Sequence, residues 1–370
     1  MQLPVYIRLR DTRLAWIAFG IAMYAFRSVL AARPDFAEAW YGRFVFVKFR
    51  WAWDYTLGWS PVPLIYVFLS TVGLYILYKF IRLFWRPKHL AAHEWLYHAV
   101  LNIGAFIGGF VGLFLLLWGY NYCRPSLDSQ INLNPDTLDF KALRAEAQWI
   151  SRQASESRSF IPNASSTALT DTYDIPELEK NIRTELTAVL RDLNYPTPGR
   201  VRVRVVYPKG ILLHASAAGI YLPWVGEGHI DAGLYPIQMP FILAHEMSHG
   251  YGFADEGTCN FLAYLACERS TDHRIRYSGR LAYWRYVFAA LRKKSTNAYL
   301  WERARISPGM FKDLVAIKDQ MALYPDLAKG LQAMMTYDEY LRSQGVKEGI
   351  ASYDNIVSKV IAWRKREGIK

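Results

Sequence analysis

The chain has 370 residues, a hydrophobic fraction of 52% with 15% aromatics, and a formal net charge of +12. That length accommodates two folded units, and so apolar a composition argues against both a disordered chain and an ordinary water-soluble one. The charge does not point to nucleic acid, because the basic residues are scattered over flanks, loops and helix faces with no recognisable reading motif, and attraction to anionic lipid accounts for them.

The apolar residues are concentrated towards the N-terminus. A first candidate span covers about 14–32, with Arg27 near one end, where a long side chain can reach the headgroups. No small-residue cleavage site follows it promptly, so it reads as an uncleaved anchor, and the next stretch, "RPDFAEAWYGRF", is polar and aromatic. Neither Tyr55 to Tyr78 nor Trp95 to Cys123 contains a charged side chain, and both runs exceed the roughly 20 residues needed to cross a bilayer. They predict spans at about 61–81 and 97–119. Arg8, Arg10 and Arg13 before the first span, with Lys79, Arg82, Arg86 and Lys88 between the other two, place those segments in the cytoplasm and residues 124–370 outside the cytoplasmic membrane. The first loop weakens this bias, since it carries Arg33, Arg43, Lys48 and Arg50 against Asp35, Glu38 and Asp54. Gly104, Gly108 and Gly112 form a small-residue ridge against which another membrane helix can pack, including one from a second copy of the chain.

After the spans, "NPDTLDFKALRAEAQWISRQASE" has the apolar spacing of an amphipathic helix, "SRSFIPNASSTALTDTYD" reads as a loop, and "IPELEKNIRTELTAVLRDLN" returns to helical period before "YPTPG". The period then changes to two. "RVRVRVVYP", "GILLHAS", "AGIYLPW" and "GEGHIDAGLYP" predict short strands of an antiparallel or mixed sheet. From Ile237 helices are expected at about 237–251, 255–269, 272–294, 308–323, 328–343 and 351–366. The expected class is α+β, with a membrane domain over 1–123, a helical linker region over 124–199 and a second domain over 200–370. Cys123, Cys259 and Cys267 show no CxxC pattern, and the last two, on one predicted helix, are too far apart to bridge.

Within that second domain, "PFILAHEMSHGYGFADEGTCNFLAYLA" places His245 and His249 four apart, on one helical face, with Glu246 beside the first. Two imidazoles so placed can grip Zn²⁺, and a glutamate next to a ligand is positioned to act as general base on water activated by the metal. Gly250 and Gly252 would end the helix just beyond. Two residues compete as third ligand. Asp255 completes H-E-x-x-H-x-x-G-x-x-D, which resembles the metzincin spacing, whereas Glu256 with Asn260 one turn later resembles the gluzincin arrangement, in which a following Asp or Asn orients a ligand histidine. Asp255 also suits a helix N-cap, and Asn260 on an otherwise apolar face needs a buried partner, which favours Glu256. Cys259 is read as a core residue.

"LGWSPVPLIYVFL", "WGYNYCRPSL", "GIYLPWVGEGHIDAG", "HEMSHGYGFADEGTCNFLAYLAC", "RYSG" and "YLRSQGVKEGIASYDNIV" together resemble a bacterial domain-of-unknown-function family of three-span membrane proteins with a gluzincin-like HExxH zinc metallopeptidase domain. The resemblance covers most of the chain. It implies metal ligands at His245, His249 and Glu256, catalytic Glu246 and supporting Asn260; where members read E-x-E-A-N-F, this chain carries Thr258 and Cys259.

The expected function is a membrane-anchored zinc metallopeptidase acting on a peptide or protein substrate outside the cytoplasmic membrane. The alternatives are a non-catalytic zinc-stabilised scaffold or sensor, assembled through the glycine ridge, and a zinc amidase acting on cell-wall peptides. Tyr264, His273, Arg276, Tyr277 and Tyr353 are the candidates by type for stabilising an oxyanion. "GIYLPWVGEGHIDAG" offers a strand edge for an extended peptide, which Pro at Ile230 should disrupt.

Overall fold

The structure, a computed structural model, describes residues 11–84, 91–135, 138–162, 164–325 and 356–369. The helix expected over 328–343, the start of the one over 351–366, and Tyr353 lie outside them. The chain divides into two compact units: Met1–Phe49 with Trp59–Arg124 and Pro223–Val225, and Arg50–Gly58 with Pro125–Leu222 and Gly226–Lys370.

The first unit is built on three helices that are long and apolar enough to cross a membrane, over Thr12–Ala31, Leu64–Arg82 and Ala92–Leu117. The helix α1 (Thr12–Ala31) is capped by Asp11, whose side chain accepts from the backbone N–H of Arg13. The stretch after it, polar and aromatic in sequence, is helical: Pro34–Phe36 is followed by a π-helix, Ala37–Val45, and by α2 (Phe46–Thr56), whose residues from Arg50 on are counted with the second unit. Its polar residues are used internally. Glu38 pairs with Arg43 at 2.9 Å and Arg124 at 2.7 Å, and the buried Tyr41 hydroxyl donates to the Leu116 carbonyl at 2.9 Å. The remaining helices are α3 (Leu64–Phe84) and α4 (Ala92–Leu117).

The glycine ridge of α4 faces α1 of the same chain. A Cβ built on Gly108 would lie 2.5 Å from the Trp16 carbonyl oxygen, while Gly104 and Gly112 meet Ile17 and Phe19. This corrects the expected role of Gly104, Gly108 and Gly112 in homo-oligomer assembly: close backbone approach within the chain already occupies that ridge.

In the second unit α5 (Phe140–Ser159) and α6 (Ile175–Asp192) begin at Asp139 and Asp174, each accepting a first-turn backbone N–H. Strands β1 (Arg202–Val206), β2 (Gly219–Leu222) and β3 (Glu227–Asp231) form a mixed sheet in the order β1-β3-β2, with β3 parallel to β1 and antiparallel to β2. Five further helices follow before the undescribed stretch: α7 (Met239–Gly250), α8 (Glu256–Arg269), α9 (His273–Lys294), α10 (Thr296–Arg303) and α11 (Pro308–Ala322). The last described element is α12 (Ile356–Glu367). Helices around a small sheet bear out the α+β class.

Two expectations change here. "GILLHAS" is not a strand but a 3-10 turn at Leu213–Ala215, because the buried Asp231 carboxylate accepts from the backbone N–H groups of Gly210, Leu212, Leu213 and Gly233. The region 124–199 is also not a separate linker. Leu143, Ala147 and Ile150 of α5 and Leu178, Ile182 and Leu186 of α6 are buried in one hydrophobic cluster with Phe261 of α8 and Phe288 of α9.

Candidate metal centre

Helix α7 enters from a 3-10 turn at Pro236–Gln238, carries Pro240 in its first turn, and is buried from Leu243 to Gly250. It ends where Gly252 adopts φ +92°, a left-handed conformation that glycine takes without steric cost, and the chain reverses into α8. The helix lies close on the sheet because two strand residues lack side chains. A Cβ at Gly219 would come 2.6 Å from Glu246 Oε1, and one at Gly228 would come 3.1 Å from Glu246 Cβ.

The i, i+4 spacing brings His245 Nε2 and His249 Nε2 to 3.2 Å. Glu256, the first residue of α8, places Oε2 3.1 Å from His245 Nε2 and 3.5 Å from His249 Nε2. All three residues are largely buried. Asp255 does not join them: its side chain accepts from the Thr258 backbone N–H at 2.6 Å as the N-cap of α8.

The far sides of both imidazoles are held. His249 Nδ1 lies 2.8 Å from the Phe253 carbonyl, which can only accept, so Nδ1 carries the proton. His245 Nδ1 lies 2.8 Å from Asn260 Oδ1, which also accepts from the Tyr286 hydroxyl at 3.2 Å. In the neutral rings both Nε2 atoms then present lone pairs to each other and to a carboxylate. Such a cluster needs a cation. Although burial alone would lower the pKa of His249, Cys259 and Glu256 raise it well above the ordinary value. Burial would likewise raise Glu256, yet the two imidazoles hold it far below the usual carboxylate range.

The donor set fits zinc. A tetrahedral ion with bonds of about 2.0–2.1 Å separates its ligand atoms by roughly 3.3 Å, against the 3.1, 3.2 and 3.5 Å seen here. The hydrogen bonds at the two Nδ1 atoms are of the kind that orient histidines in metal sites. Beside the cluster, burial pushes the Glu246 carboxyl up to about 7 against the pull of the two imidazoles, and its Oε2 has no hydrogen-bond partner. Cys259 sits behind His249, with Sγ 3.4 Å from Nδ1, and burial pushes its thiol up to about 11.

The oxyanion candidates among the described residues have other partners. Tyr277 donates to Asp313 at 2.6 Å, Tyr264 packs on Tyr283, His273 stacks on Phe160, and Arg276 donates to the Ser270 carbonyl. The proposed peptide edge resolves into two strands, and Ile230 belongs to central β3, paired on both sides and fully buried. The edge strand of the two is β2, so proline at Ile230 would damage the sheet itself. The Phe253 carbonyl and Tyr286 were not foreseen. A backbone acceptor leaves no trace in residue identity, and Tyr286 is 26 positions from Asn260, with no local spacing to connect them.

The chain therefore combines three helices long and apolar enough to cross a membrane with an α+β unit holding a His-His-Glu cluster suited to a cation. It belongs to the family described as a protein of unknown function (DUF3810), which matches residues 41–361. Neither curated proteins nor solved structures give a match to the chain.

Proposed function

We propose that the protein is a membrane-anchored zinc metallopeptidase in which His245, His249 and Glu256 hold the metal and Glu246 is the general base. The observation that carries this reading is the convergence of two imidazole nitrogens and a carboxylate oxygen beside a buried glutamate whose Oε2 has no hydrogen-bond partner among the described residues. Zinc, when bound there, supplies Lewis-acid activation of water and of a carbonyl group. Glu246 takes a proton from the attacking water and delivers it to the departing amine nitrogen, which balances the cleavage of one peptide bond. Asn260 and the Phe253 carbonyl keep the rings oriented throughout. The distribution of Lys and Arg around the apolar helices favours placing this unit outside the cytoplasmic membrane, where soluble or juxtamembrane segments are the substrates.

The test combines metal analysis with a peptide-library assay on the full-length chain in detergent. Wild type and Glu246→Gln should each retain about one zinc per chain, His249→Ala should lose it, and Glu246→Gln should cut turnover about 100-fold or more. Bound zinc with no cleavage of library peptides by wild type would sink the peptidase reading. Muropeptide cleavage in place of protein cleavage would reassign the substrate to the cell wall.

A further inference from the structure

A cavity of about 610 Å³ lies in the second unit beside this centre. Three connections fix its position. Phe241, in its wall, is one turn before His245 on α7; Tyr286, also in its wall, donates to the Asn260 that holds His245; and Ala218 directly precedes the glycine against Glu246. Its volume falls within the range of small-molecule sites and exceeds that of any single side chain.

One face of α9 forms much of the wall, with Ala282, Arg285, Tyr286 and Ala289 at spacings of three and four. The lining is mostly aliphatic and aromatic, and among the described residues it includes no acid and no base other than Arg285. Arg285 makes no hydrogen bond or ion pair with any described residue. Most other arginines at structured positions of this unit are paired, as Arg280 is with Glu268 and Arg158 with Asp313. A lone guanidinium on an apolar wall is a receptor for a planar anion, which it binds through two parallel hydrogen bonds. Strand β2, at an edge of the described sheet, leads along the chain to Ala218, so an extended peptide paired with that edge would bring its side chains to the cavity.

We propose that the cavity seats a bulky apolar side chain of the bound peptide while Arg285 pairs with a carboxylate on that peptide, either its C-terminus or an acidic side chain. The inference rests on the peptidase reading for its substrate class, and it assigns the specificity that reading lacks.

The probe is dye-labelled Gly-Gly-Phe-Leu as the free acid, as its C-terminal amide, and as an amide with Asp in place of Leu. Binding is followed by fluorescence anisotropy to the zinc-loaded, full-length Glu246→Gln protein, which does not turn the peptides over. The free acid or the Asp amide should bind about tenfold tighter than the plain amide, and whichever does identifies the source of the carboxylate. Adding Arg285→Gln should erase the difference. Ala282→Trp should weaken the Phe probe several-fold and leave a Gly-for-Phe probe unchanged. Equal affinity for all three peptides, or a preference that survives Arg285→Gln in a variant with unaltered thermal midpoint, overturns the assignment. Cleavage by wild type is scored separately. Turnover without carboxylate preference defeats the pocket alone, and carboxylate preference without turnover defeats the hydrolase reading alone.

Discussion

At the scale of single residues, the site depends on which nitrogen of each histidine is bare. Asn260 sets this for His245 and the Phe253 carbonyl for His249, so only the first can be removed by substitution. Asn260→Ala should weaken zinc binding by about 10–100-fold, read by competition with a chromogenic chelator, while Asn260→Asp should restore much of it; unchanged affinity in the alanine variant would show that the amide does not orient the ring. The sequence displays His245, Glu246, His249 and Glu256 because helical spacing and cap preference are local rules. Asp255 and Glu256 are adjacent acids that N-cap preference separates already in the sequence, and in the structure the Thr258 N–H takes the first of them. Tyr286 was invisible for the opposite reason, since its role depends on how α9 crosses α8.

Elements follow the same division between local and distant causes. The helices at 239–250, 256–269, 273–294 and 308–322 lie within two residues of their expected limits, because caps and apolar period mark them. Helix α10 was missed; it is eight residues long and begins at Ser295, whose side chain accepts from the Ala298 N–H. The false strand at "GILLHAS" has β-favouring residues, but a distant carboxylate gathers its backbone into a turn. Helix α10 also carries Glu302, which ties it to α5. Although burial pushes the Glu302 carboxyl up, Arg144 at 2.7 Å and Gln148 at 2.9 Å hold it on balance below its usual value. A depressed carboxyl stabilises the fold above its unfolded pKa and loses that effect as pH falls through the folded value. The melting temperature of Glu302→Gln should thus trail wild type at neutral pH, with the gap closing below about pH 4; a gap independent of pH would assign the effect to packing. Between α1 and α4 the controlling feature is steric. Gly108→Leu should cost about 1–3 kcal/mol of stability in detergent, measured by thermal denaturation, because the Trp16 carbonyl occupies the space its Cβ needs.

For the molecule as a whole, runs of uncharged residues mark the apolar helices directly, since their length is set by bilayer thickness and not by any partner in the fold. What the runs do not reveal is the helical segment between the first two, where Glu38 accepts from Arg124 and Tyr41 donates to the Leu116 carbonyl, both across long separations in sequence. The assignment of residues 125–199 to the same unit as the sheet was also illegible, because an amphipathic helix announces that it has a buried face but not what covers it. The proposed topology has its own test. Alkaline phosphatase fused after Lys370 should be active and a green fluorescent protein fusion dark; the reverse pattern would put the His-His-Glu cluster in the cytoplasm.

The three donor side chains, together with the amide that steadies one of them, fall between residues 245 and 260. The donor set is thus carried by one short run of the chain, to which distant residues add only support: the Tyr286 hydroxyl on Asn260 and the two strand glycines against Glu246. A foreign helix-turn-helix with a glycine-lined strand beneath its first helix should accept that run whole, and with it the capacity to capture a metal.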